Sequence, residues 1–333
     1  MAAATKAAGF GAAVSHYPGF GAALAAGRHG RIGAMAPRIG IWLALLLCSA
    51  ASAQISPTDL LKETVSDADH ILAYGPDPLQ FGELRLPKAK GPHPVAIVVH
   101  GGCYMDRLPG RDPRITTYAL LRPLAVALTD AGIATWNVEY RRTGNPGGGW
   151  PGTFRDLSSA TDYLRQIART YALDLERVIV VGHSSGGQLA LWIAARSKLP
   201  RSSPVYTKNP LTVKAVVDID GPPDLAAMQP LERKFCPVPG VLDFLGGTPA
   251  EQPERYRDGS AQSFLPLGVP QQILVGGLLH GASELVNTYA AQAKESGDRV
   301  TLLPLDGSGH FDMLKPDTAY GKALLETISS LMK

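Results

Sequence analysis

"RVIVVGHSSGGQLALWIAA", residues Arg177–Ala195, is the stretch on which the reading of the whole chain turns. Four consecutive apolar residues, Val178 to Val181, fit a buried strand, and the run from Gln188 onward fits an apolar helix. Between them Gly182-His183-Ser184-Ser185-Gly186 satisfies the pattern G-x-S-x-G in the strand–turn–helix setting that gives the pattern its meaning. In that setting Ser184 is lifted out of the sheet at a sharp turn, where its hydroxyl can serve as a nucleophile. Five residues make a short match, so the rest of the chain must supply a base, an acid and a place for negative charge.

Working outward, "ILAYG" (Ile71–Gly75) and "QFGELRLP" (Gln80–Pro87) read as an opening hairpin. "PVAIVVHGG", "GIATWNVEY" (Gly132–Tyr140) and "VKAVVDI" (Val213–Ile219) read as strands, as do "QILV" and "RVTLLPL". "FRDLSSATDYLRQIARTYAL" places Phe154, Leu157, Ala160, Leu164, Ile167 and Ala168 at helical spacing. "SELVNTYAAQAKES" and "DTAYGKALLETISSLM" are further helices. Strands alternating with helices predict an α/β fold: a mostly parallel sheet, helices on both faces, and the hairpin as an antiparallel N-terminal edge. Gly221 to Pro270 is Pro-rich and reads as an irregular, cap-like insertion.

Ligands of such sheets bind beyond the carboxyl ends of the strands, and the chemically able residues fall there. Val99-His100-Gly101-Gly102-Cys103 closes one strand, the Ser184 turn closes another, and His310 follows the last strand in "LDGSGHFDML" (Leu305–Leu314). With "VEYRR" at Val138 and "GGGWPGTFRD" at Gly147, the chain from about Tyr74 to Lys333 resembles the α/β-hydrolase superfamily. The resemblance is to its small HGG-loop esterase and arylformamidase-like (BD-FAE-like) branch. It implies Ser184 as nucleophile and His310 as the base that takes its proton. It also implies an oxyanion hole made by the amides of Gly102, Cys103 and Ser185. One such donor is worth about 3 kcal/mol of transition-state stabilisation. His100 is expected to brace its loop, and His183 to stand in the pocket wall.

The acid is where the pattern departs from the family, which places an Asp after the penultimate strand. Here the strand runs into "GGLLHGASEL" and His280 stands at that point. A histidine cannot stabilise an imidazolium, so the alternatives are Asp220, at the end of the preceding strand, and Glu284. Asp306 is nearer in sequence but sits on the histidine's own strand. Asp220 is favoured, because some relatives of the fold take their acid from that strand end.

The remaining composition bounds the function. A length of 333 residues with 45% hydrophobic content can bury a full core, and a net charge of +3 without a dense Lys/Arg block points away from nucleic acid. No His/Cys pair has zinc-ligand spacing, and no phosphate-cradling loop is present, so neither metal nor cofactor is expected. Residues 1–34 are Ala/Gly-rich and contain "GFGAA" twice, a composition with little to pack. From Met35, Arg38, an apolar run from Ile39 to Leu47, and Ala51-Ser52-Ala53 form a signal-peptide pattern over residues 35–53. The mature domain is then 54–333, with Met35 rather than Met1 as the expected start. The apolar run is short of the ~20 residues of a membrane span, so no stable anchor is expected and the product would be periplasmic or secreted. Loss of Cys48 with the leader leaves Cys103 and Cys236, an even pair in an oxidising compartment. A disulfide between them would pin the 221–270 segment over the Gly102 loop; two separate buried thiols are the alternative. The expected activity is cleavage of a small ester through an acyl-enzyme. Arylformamidase-like amide hydrolysis and a non-catalytic binding protein stand as alternatives, the last because the usual acid is missing.

Overall fold

The computed structural model describes residues 54–110 and 117–332; the low-complexity stretch and the leader expected at 35–53 lie outside them. Eight strands lie among the described residues: β1 (His70–Ala73), β2 (Phe81–Arg85), β3 (His93–Val99), β4 (Ala134–Val138), β5 (Leu173–His183), β6 (Ala215–Ile219), β7 (Gln271–Val275) and β8 (Val300–Pro304). They form one sheet in the order β1-β2-β4-β3-β5-β6-β7-β8. β1 and β2 pair antiparallel, as do β2 and β4, and every other pair is parallel. This is the expected mostly parallel sheet with an antiparallel N-terminal edge.

Helices α1 (Pro57–Lys62), α2 (Arg122–Asp130), α3 (Gly152–Ile167), α4 (Ser185–Ala195), α5 (Leu225–Met228), α6 (Gly240–Leu245), α7 (Pro253–Gly259), α8 (Ser283–Glu295) and α9 (Ala319–Leu331) complete the described residues, with short 3-10 turns between them. The two-residue period of the strands splits the apolar side chains into two layers. Val95, Ile97, Val178, Val180 and Val216 pack under α3, α4 and α8 with Phe154, Leu157, Leu189, Leu285 and Tyr289. Ala96, Val98, Ile179, Val181, Val217 and Ile219 face the other way, under Leu60, Leu124, Leu128, Leu324 and Ile328 of α1, α2 and α9. Central strands are thus apolar on both sides, which is why they read as continuous hydrophobic runs.

Two expectations need correction. The helix after the serine begins at Ser185, not at Gln188, because the Gly187 amide already donates to the Ser184 carbonyl at 2.8 Å. Residues 221–270 are not wholly irregular: α5, α6 and α7 lie within them, α5 followed closely by Pro230 and α6 ended by a left-handed Gly246. Helix α2, "RPLAVALTD", is not announced by the sequence pattern. A brief apolar run has no periodicity long enough to separate helix from strand.

Candidate active site

Ser184 sits at the tip of β5 with φ +59° and ψ −131°, a left-handed conformation rare for a residue with a Cβ. Such a residue carries about 1–3 kcal/mol of local strain and persists only where its surroundings hold it. Its amide donates to the Ile219 carbonyl of β6 at 2.9 Å, and the helix behind it starts at once. The glycines on either side have steric reasons. A Cβ at Gly182 would overlap the Gly186 carbonyl, and one at Gly186 would overlap the carbonyls of Val99 and His100. The turn is therefore packed against the end of β3, and Ser184 is 9% exposed.

His310 reaches the same place from the loop after β8. Its Nδ1–H donates to Asp220 Oδ2 at 2.6 Å. The Asp220 carboxylate is fully buried just past β6, in a residue that itself has φ +55°. Three amides of the loop after β7 close around it: Gly276 and Leu279 donate to Oδ1 at 2.9 and 2.8 Å, and Leu278 donates to Oδ2 at 2.8 Å. Burial pushes this carboxyl up, but the His310 hydrogen bond and charge, with the Leu278 and Leu279 amides, outweigh it and hold it below its ordinary value. The loop that usually carries the acid thus supplies amides that grip an acid from the neighbouring strand. His280 and Glu284, the residues nearest the family position, are both exposed.

Gly102, Cys103 and Tyr104 follow one another with φ of +122°, +54° and +63°, which curls the backbone after β3. Successive amides in such a curl form a concave anion-binding surface. The Tyr104 amide donates to Ser185 Oγ at 3.4 Å, tying this curl to the first residue of α4. The amides of Gly102, Cys103 and Ser185 form no hydrogen bond among the described residues. Beneath the loop, the buried His100 has Nδ1 2.8 Å from the Gly101 carbonyl and Nε2 3.0 Å from Glu139 Oε1. Its ring stacks on Tyr140 at 4.3 Å, as expected of a bracing residue.

Ser184, His310, Gly102, Cys103 and His183 share the wall of one cavity of about 450 Å³. Leu121, Phe235, Leu278 and Phe311 make much of the remaining wall apolar. Cys103 and Cys236 form a disulfide with their Cα atoms 6.1 Å apart, so the segment bearing Phe235 and Pro237 is fastened to the curled loop. Among the described residues, no group of three or more His, Cys, Asp or Glu side chains is placed to hold a metal ion. No helix among them is long and apolar enough to cross a membrane.

Sequence reasoning missed some members of this arrangement. His183 is a wall residue but also donates from Nε2 to the His310 carbonyl at 2.8 Å, so the residue beside the serine supports the histidine. Asp218, two residues before Asp220, is fully buried beneath Gly187 and Gly221, and accepts from the Gly221 amide at 2.9 Å. Burial pushes its carboxyl well above the ordinary value. Its place two residues before Asp220 on an apolar strand was the one available signal.

The BD-FAE family model matches residues 83–287, more than half of the chain. The chain belongs to the BD-FAE family. The match takes in Ser184 and Asp220 of this BD-FAE protein and ends before His310. No curated protein matches it. Among solved structures, a truncated carbohydrate esterase from gut microbiota superposes with a TM-score of 0.64 at 21% identity, over 81% of this chain and 98% of that one. A bacterial heroin esterase superposes at 0.63 and 20% identity, over 84% and 94%. An acetyl ester-xyloside bifunctional hydrolase from Caldicellulosiruptor lactoaceticus gives 0.60 and 18%, over 80% and 97%. With the sheet order above, these likenesses establish the α/β-hydrolase fold for this BD-FAE protein.

Proposed function

We propose that this chain is an exported serine hydrolase that cleaves a small ester through an acyl-enzyme intermediate. One observation carries the reading: His310 is hydrogen-bonded to a buried, ionised Asp220 while sharing a cavity wall with Ser184 at its strained turn. An imidazole whose Nδ1–H is held by a carboxylate keeps its Nε2 lone pair free to accept a proton.

Nε2 takes the Ser184 hydroxyl proton as Oγ bonds to the ester carbonyl carbon. The carbonyl π electrons move onto oxygen, and the amides of Gly102, Cys103 and Ser185 receive that charge. Collapse of the tetrahedral species breaks the bond to the alcohol oxygen, which leaves with the proton from His310. A water then repeats the sequence on the acyl-enzyme and releases the carboxylic acid. Asp220 stays ionised throughout and stabilises the imidazolium.

An ester is favoured over the arylformamidase-like amide because the solved relatives with the same fold are named as esterases or as a hydrolase of acetyl esters. The argument for a non-catalytic scaffold rested on a missing acid, and the hydrogen bond between His310 and Asp220 weighs against it. Export is supported by the Cys103–Cys236 disulfide, since such bonds persist in oxidising compartments, and by the leader pattern before Gln54. The test is direct. A fluorophosphonate should label Ser184, and Ser184→Ala should abolish turnover of 4-nitrophenyl acetate; a chain that neither labels nor turns over is not this enzyme. Intact mass of exported protein should begin at Gln54, and a species retaining Trp42 would refute the processing.

A further inference from the structure

The chain before β1 lies outside the family match, yet it reaches the reactive cleft. Ser56 caps α1 through a reciprocal capping box with Asp59, and Pro57 opens the helix. Leu60, 2% exposed, anchors it among Leu120, Leu121, Leu124, Met313 and Leu314. The segment is also fastened to the histidine loop. The Ile55 amide donates to Asp312 Oδ1 at 2.6 Å, and the Gly309 amide donates to Oδ2 of the same carboxylate at 2.8 Å. One buried side chain thus joins the N-terminal strap to the residue before His310. The Gln54 side chain packs against Gly309, where an added Cβ would meet it at 2.9 to 3.0 Å. An ion pair between Glu63 and Lys315 closes the far end.

So held, the strap presents Pro57 and Thr58 to the cavity, beside Leu120, Leu121 and Phe311. Thr58 is exposed, which puts it at the open rim and not in the floor. We infer that residues 54–62 are a specificity wall of this cleft, and that Thr58 sets how long a substrate group can run past its rim. The inference rests on the ester-hydrolase reading and adds to it a determinant of substrate size. Its physical basis is steric. A rim residue held by a buried leucine, a shared carboxylate and an ion pair cannot swing aside, so added bulk there meets the substrate.

The experiment measures kcat/KM for 4-nitrophenyl acetate and 4-nitrophenyl octanoate on wild type, Thr58→Trp and Thr58→Gly, using the exported chain. An exposed position tolerates both changes, and matching thermal melting curves would verify it. Thr58→Trp should lower the octanoate-to-acetate ratio by about tenfold or more, as a mismatch of a few methylenes commonly does. Any loss on acetate should be clearly smaller than the loss on octanoate, and Thr58→Gly should leave the ratio equal or higher. Ratios within about twofold of wild type in both variants would overturn the wall while leaving the hydrolase reading intact. A wild type with no Ser184-dependent turnover of either ester would overturn both. An equal loss on both esters in Thr58→Trp would also overturn the wall, because it marks a general disturbance of the cleft.

Discussion

Replacing Asp220 by Asn changes one atom at the centre of the site, and its surroundings dictate how the new amide must sit. Oδ1 now accepts from two amides, Gly276 and Leu279, whereas Oδ2 accepts from the Leu278 amide and from His310. An NH2 on the Oδ1 side would face two N–H donors and leave both unpaired in a fully buried place. The amide oxygen therefore takes that side, and the NH2 points at His310 Nδ1 and the Leu278 amide. The half-buried Leu278 N–H is left without an acceptor, at a cost of at most about 1–3 kcal/mol of stability. The catalytic cost is larger. With a donor opposite Nδ1, the neutral imidazole must carry its proton on Nε2, the nitrogen that has to take the proton from Ser184. Such a tautomer error removes ~10⁴-fold in rate, or about 5 kcal/mol of barrier at 1.36 kcal/mol per decade. The assay is kcat for 4-nitrophenyl acetate alongside a thermal melt, with fluorophosphonate labelling rates as a second reading of the nucleophile. A folded Asp220→Asn protein that retains kcat within tenfold of wild type would refute this account of the acid.

The other expectations follow from the same geometry. Asp218→Asn tests the second buried carboxylate of β6: its native pKa is raised by burial, whereas unfolded Asp titrates near ~3.9. Between those values folding must take up a proton, so wild-type stability falls as pH rises from about 4 toward the native value. The Asn variant lacks that loss, so its urea midpoint should gain on wild type as pH rises above about 4, and parallel curves would sink the assignment. Cys236→Ser opens a link spanning 133 residues and should lower the unfolding free energy by about 2–5 kcal/mol; an unchanged denaturation midpoint in non-reducing buffer would count against it. Glu284→Gln and His280→Ala alter exposed side chains, so kcat should stay within about twofold of wild type; a hundredfold loss in Glu284→Gln would move the acid to the start of α8.

Much of this protein was determined by local sequence. The apolar residues of β3, β5 and β6 fall on both faces, which marks these as central strands of a covered parallel sheet. Gly182 and Gly186 around Ser184 announced the turn because its close approach to β3 leaves no room for a Cβ. Cys103 and Cys236, the two cysteines after the expected leader, left a disulfide or two separate thiols open, and the fold pairs them. Helix α2 and the short helices within 221–270 were less legible, because a few apolar residues broken by proline carry no clear period. The pairing of Asp220 with His310 and the placing of the strap were decided by the tertiary structure. Asp220 meets His310 across 90 residues of chain, and Ile55 meets Asp312 across 257. Whether a carboxylate lies at hydrogen-bonding distance from an imidazole depends on the stagger of β6 against β7 and β8, and on where the next loop aims its amides. No side-chain period or composition encodes that distance, since it exists only once the strands have paired.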